Sequence, residues 1–199
     1  DALLEQRDLR LRVEPVVRSY AGVLHAFSKL HLGDTAAARS ELGALGFVSA
    51  FWVVGAFDNE GKRGMAAAYG PELTVRDARS TELSYAGKER PIRWRAMDDV
   101  ASWGYVPLDG FVRPNTHACA YLETGVRAER ALPLTIALGA GGAIAAWWNG
   151  VEVFRDAHYR APDHDRFVRS VQARAGINRL LIKTCVADGP WGVYARLGS

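Results

Sequence analysis

Two hydrophobic periodicities divide the chain, and they change over at Gly46. Upstream, Val16, Tyr20, Val23, Leu24, Phe27 and Leu30 recur at helical spacing and form one apolar stripe. Pro15 suits the first turn of that helix, so residues 3–13 form either a separate helix or a kinked extension. The run "HLGD" interrupts the stripe. Asp34 then caps a second, short helix through Ala38, Leu42 and Leu45, which ends at Gly46. Two antiparallel helices about a Gly-Asp turn have the pattern of one tetratricopeptide-type unit. Such arrays need about three repeats before each pair buries both its faces. The pair therefore either closes an upstream array or packs on the body that follows, and packing on the body is the expectation.

From Phe47 the period changes. "FVSAFWVVGAF" is rich in aromatic and β-branched residues and closes on the turn-forming "DNEGKRG". Further short strand candidates follow: "IRWRAM", "ACAYLETGV", "LPLTIALGA", "AIAAWWN", "VEVFRD", "DRFVRSVQA", "NRLLIKTCV" and "WGVYARL". Their spacing and Gly-rich turns predict an antiparallel jelly-roll β-sandwich; no strand-helix alternation calls for a parallel sheet. The predicted fold is mainly β, a sandwich over 47–199 with an N-terminal α-helical hairpin over 1–46. Residues 58–90 carry little pattern and are long for a loop, so they are expected to wrap the sandwich.

"IAAWWNGVEVF" sets a puzzle, because adjacent tryptophans on a strand point to opposite faces. Asn149-Gly150 is a strong hairpin signal, since both central residues of a type I′ turn take positive φ. Counting back, Ile144, Ala146 and Trp148 share the face suited to the core, while Ala145 and Trp147 share the other. Trp147 is expected to lie under another element, the N-terminal helices being one cover. Cys119 and Cys185 both fall in apolar strand-like runs, with neither CxxC spacing nor a paired His, which argues against zinc. A disulfide requires their strands to be neighbours; separate buried thiols are the expectation.

Composition narrows the class. The 199 residues, 49% hydrophobic, suffice for one sizeable domain or for a domain with a small appendage. No apolar run approaches the ~20 residues of a membrane-spanning helix. The net charge is +3, and of the 25 basic residues 21 are Arg, scattered without a block that would point to nucleic acid. The opening "DALLEQRD" has neither Met nor a signal peptide and reads as an excised piece or a mature form.

The run from Cys119 to Leu197 resembles the galactose-binding-like β-sandwich that accompanies many glycoside hydrolases. "AYLETGV" followed by "LPLTIALGAGGAIAAWWNGVEVF" has that family's order of entry strand, Gly-rich turn and Asn-Gly strand end. "RSVQARAGINRLLIKTC" matches its Gly-x-Asn corner, and "GPWGVYARL" its closing Trp-Gly-x-Tyr strand. "FWVVGAFDNEGKRGMAAAYGPE" is similar to the segment that opens such sandwiches in large bacterial envelope or secreted proteins. One departure is "GAGGAI", where the family often has Asp-Gly. The resemblance implies a jelly-roll fold, ligand binding at one end of the sandwich and, often, a structural calcium.

Candidate chemistry is sparse. Asp163, His164 and Asp165 in "RAPDHDRF", with His158 nearby, place carboxylates beside imidazoles, yet a solvated Pro-containing loop is the ordinary reading. Asp58, Asn59 and Glu60 offer oxygen ligands of the kind calcium takes, without the spacing of a calcium loop; a turn is the expectation. Sugar recognition needs aromatic faces and planar polar groups. Trp103 and Tyr105 in "ASWGYVPLDG", with Asp109 behind them, supply both, as do Trp191 and Asp188 in "DGPWGVY". Trp191 also belongs to the resembled family's structural pattern, and Trp52 and Trp94 are expected in the core. The expected role is non-catalytic glycan recognition within a larger extracytoplasmic bacterial protein, without a cofactor beyond a structural calcium. The alternative is a structural or protein-interaction module whose partners are neighbouring domains.

Overall fold

Asp34 caps a helix as its position predicts. In the computed structural model, which describes residues 15–74, 82–97 and 104–198, its carboxylate accepts the Ala37 N–H at 3.1 Å. This cap joins α1 (Pro15–His31) to α2 (Thr35–Ala44). The expected helix over 3–13 lies outside the described residues. Val23, Ala26 and Leu42 are buried between the two helices, and their cluster continues into Phe47 and Tyr194. The pair therefore packs on the body. Gly46, at φ +84°, makes the turn between them, where a Cβ would sit 1.9 Å from the Leu197 carbonyl oxygen.

The body is an antiparallel β-sandwich of the predicted jelly-roll kind. Its strands are β1 (Phe51–Asp58), β2 (Tyr85–Ala86), β3 (Pro91–Ile92), β4 (Arg95–Met97), β5 (Tyr105–Pro107) and β6 (Ala118–Ala128). They continue as β7 (Leu132–Ala140), β8 (Gly142–Trp148), β9 (Val151–Arg160), β10 (Phe167–Ala173), β11 (Gly176–Val186) and β12 (Gly192–Gly198). One sheet runs β4-β1-β6-β11-β8-β9 and the other β10-β7-β12-β5; β2 and β3 form a small ladder apart. Leu122, Ile144, Trp148 and Ile182 from the larger sheet meet Ile136, Leu138, Val193 and Ala195 from the smaller one. This is the main core, and it assembles because alternate residues of each strand face inward.

The larger sheet has a second apolar face. Val54, Tyr121, Ala145 and Leu181 lie on it, and Met65, Tyr69, Tyr85 and Trp94 cover it. Apart from Trp94, the cover comes from the expected wrapping segment, which includes a 3-10 helix (Glu60–Met65) and α3 (Gly70–Leu73). Polar contacts add to this apolar attachment. Lys183, fully buried, donates to the Glu72 carboxylate at 2.8 Å and lies over the Tyr69 and Tyr121 rings. Arg155 reaches the Met65 carbonyl at 2.8 Å, and Arg179 the Pro71 carbonyl at 3.3 Å.

The adjacent tryptophans divide as the alternation requires. Trp148 is in the main core with Ile144 and Ala146, and its indole N–H donates to the Gln172 carbonyl at 2.9 Å. Trp147 packs with Ala145 in the second core, where its cover is Arg155, 5.6 Å from the ring centroid, rather than the N-terminal helices. Asn149 and Gly150 both take positive φ, at 51° and 85°. Trp94 is buried and Trp52 half-buried in the second core.

The cysteines correct the expectation of separate thiols. Cys119 on β6 stands directly opposite Cys185 on β11, with Cα atoms 4.0 Å apart, and the two form a disulfide. Sixty-six residues separate them, so only the pairing of these two strands brings them together.

Candidate functional site

Tyr105 lies in an edge strand, not in the loop that its Gly-containing surroundings predict. β5 pairs with β12, which sets Tyr105 opposite Tyr194 with ring centroids 4.7 Å apart. The approach depends on Gly192, where a Cβ would fall 2.3 Å from the Tyr105 ring. Tyr194 meets the His164 ring at 6.1 Å, and His164 stacks on Tyr20 of α1 at 5.3 Å. Four rings from four segments thus form a row from the sheet edge onto the helix. Tyr105, His164 and Tyr194 are half-buried, and Tyr20 is 54% exposed.

Burial raises the Tyr105 hydroxyl above the ordinary phenol value, and the Asp109 carboxylate and Tyr194 add to the rise. Burial raises Tyr194 likewise, with Asp163 adding. Both phenols are therefore neutral hydrogen-bond donors at physiological pH. Asp109, in the short helix α4 (Leu108–Phe111), is half-buried, and its backbone N–H donates to the Trp191 carbonyl at 3.0 Å.

The other sugar-site candidates separate. Trp191 is fully buried in the main core, which corrects its reading as a stacking residue: no face of it is open to a ligand. Its indole N–H has no hydrogen-bond partner among the described residues. Asp188 is exposed in the preceding loop, 3.7 Å from His117. Trp103 lies outside the described residues. Tyr194, His164 and Tyr20 were not legible as a site, because each belongs to a different element.

The remaining candidates have structural partners. Asn59 is fully buried; its amide donates to the Val186 carbonyl at 2.8 Å, and its carbonyl accepts the Gly64 N–H at 3.0 Å. Asp58 accepts the Glu60 N–H at 3.3 Å, and Glu60 pairs with Lys88 at 2.7 Å. These contacts make a turn, with one carboxylate already neutralised. Among the described residues no group of three or more His, Cys, Asp or Glu side chains converges as metal ligands do. In the Asp-His-Asp run, Asp165 pairs with Arg196 and accepts from Ser19, while Asp163 pairs with Arg166. His158 sits on Asp156, which also takes Arg160. The loop is solvated at Asp163, as expected, while Asp165 and His164 form a joint between helix and sandwich.

Neither a protein-family model nor a curated protein matches the sequence. Similar solved structures include the PA14 domain of an antifreeze protein, at 14% identity over 40% of this chain and 42% of that chain, TM-score 0.35. A β-glucosidase from Kluyveromyces marxianus matches at 10% identity over 75% of this chain and 17% of its own, TM-score 0.45. A family 35 carbohydrate binding module from Clostridium thermocellum matches at 16% identity over 41% of this chain and 71% of its own, TM-score 0.30. The chain thus spans less than half the length of the first two.

Proposed function

We propose that this chain is a non-catalytic glycan-recognition module of a larger extracytoplasmic bacterial protein. The observation that carries this reading is the row of Tyr105, Tyr194, His164 and Tyr20, with Asp109 and Asp163 electrostatically coupled to its tyrosines. Sugar rings offer apolar C–H faces that stack on such rings, and hydroxyls that carboxylates accept and neutral phenols donate to. Trp103 and Asp188 are proposed to contribute to binding as a stacking residue and an acceptor. The division into a tetratricopeptide-like appendage over 1–46 and a sandwich over 47–199 belongs to the same proposal. Its extracytoplasmic setting is supported by the Cys119–Cys185 disulfide, a bond that persists in oxidising compartments. A non-catalytic role is supported by the structural ion pairs that engage Asp165, Asp163 and Asp156.

A glycan-array screen of the wild type beside Trp103→Ala and Tyr105→Ala tests the reading. Selective binding that either variant loses supports it. Silence across the array from a folded protein overturns it. That outcome favours a protein-interaction module, for which α1 and the turn after it offer Leu24 and Leu32, 52% and 81% exposed.

A further inference from the structure

A cleft of about 480 Å³ lies beside the β1–β4 edge of the larger sheet, and Arg90, Arg93, Arg95 and Arg113 all line it. Among the described residues no carboxylate lines it. Alternation gathers two of the four: Ile92 and Trp94 are buried, so Arg93 and Arg95 face the other way and are exposed. Arg95 donates to the Phe111 carbonyl at 2.7 Å and Arg113 to the Val112 carbonyl at 2.9 Å, which holds both guanidiniums in place. Among the described residues Arg90 and Arg93 have neither a hydrogen bond nor an ion pair. By contrast, Arg155, Arg160, Arg166, Arg179 and Arg196 each sit on a carboxylate. A cleft lined by one sign of charge concentrates its field and attracts the opposite ion.

We infer that this cleft binds the oxyanion groups, carboxylate or sulfate, of an acidic polysaccharide. Guanidinium forks match both groups with paired, charge-assisted hydrogen bonds. The inference rests on the glycan reading of the chain but uses a different surface from the aromatic row. A nucleic acid fits less well, because among the described residues no aromatic ring lines the cleft for bases to stack on. The volume is that of a small-ligand site, suited to a few sugar units.

The test is calorimetric titration of the full chain with oligogalacturonate, dextran sulfate, neutral dextran and a single-stranded thymidine oligonucleotide. At least one acidic polymer should bind, more weakly as salt rises. Stronger binding of oligogalacturonate assigns the cleft to carboxylate, and stronger binding of dextran sulfate to sulfate. The double variant Arg90→Gln/Arg93→Gln should weaken that binding about tenfold or more, through loss of charged hydrogen bonds. Lysine at both positions should restore it only in part, since an ammonium lacks the fork. Both side chains are exposed, so circular dichroism should show unchanged folding. Affinity unaffected by the glutamine variant, or tighter binding of the oligonucleotide, overturns the inference. If neutral sugars bind while acidic ones do no better, the cleft assignment fails and the glycan reading stands. If no sugar binds, both fail.

Discussion

Arg196 grips Asp165 with Nε and Nη2, at 2.6 to 2.8 Å from the carboxylate oxygens, and Ser19 of α1 donates to the same carboxylate at 3.1 Å. One residue of a turn thereby ties the last strand to the first helix. Asp165→Ala should cost about 2–3 kcal/mol, because it leaves a half-buried guanidinium and a buried hydroxyl without their acceptor. The loss should be local. Hydrogen exchange should accelerate in α1 while β6 and β11 keep their protection, and equal acceleration throughout would contradict the joint.

The Cys119–Cys185 bond closes a loop of 66 residues. Chain-entropy arguments assign such a cross-link about 4 kcal/mol, and measured values run at about 2–4. Cys119→Ala/Cys185→Ala should therefore lower the urea midpoint substantially. Reductant should lower the wild-type midpoint comparably and leave the double variant's unchanged.

Lys183 is a buried cation with three kinds of partner: a carboxylate, backbone carbonyls and two tyrosine rings. Lys183→Met should cost about 3 kcal/mol, since it leaves the half-buried Glu72 without its cation. Adding Glu72→Gln should recover part of that loss. Urea unfolding of the four species gives the coupling directly; additive losses would mean that the pair does not act as a unit.

Burial raises the hydroxyls of Tyr69, Tyr105, Tyr121, Tyr159 and Tyr194 above their ordinary value of 10.0. A group whose folded pKa is raised contributes stability that is complete below the unfolded value and lost as pH climbs past it. Burial depresses Lys183 from 10.5, which gives an opposite, smaller gain as pH approaches that value. Five tyrosines outweigh one lysine, so stability should fall steadily above about pH 10.5. Absorbance at 295 nm should show their tyrosinate appearing together with loss of the circular dichroism signal. Ionisation well before unfolding would contradict the burial.

Much of the fold was legible because its causes are local. Asp34 caps α2, Asn149-Gly150 turns a hairpin, and the division of Trp147 from Trp148 follows from the two-residue period of a strand. Each depends on residues within a few positions of one another. The site was less legible. Tyr105 and Asp109 were marked by composition, but Trp191 carries the same residue type and is core, since type alone does not give depth.

What the sequence determined by itself is therefore the two helices, the longer strands and their faces, and the wrapping of the described part of the 58–90 segment, but not the short strand β5 that it read as a loop. Tertiary structure alone decided which strands are neighbours. That choice pairs Cys119 with Cys185, sets Tyr105 beside Tyr194 and brings Arg113 to Arg93 and Arg95. The physical reason is range. Propensity and periodicity act over a few residues, whereas strand register across dozens of residues comes from burying both sheets' inner faces at once.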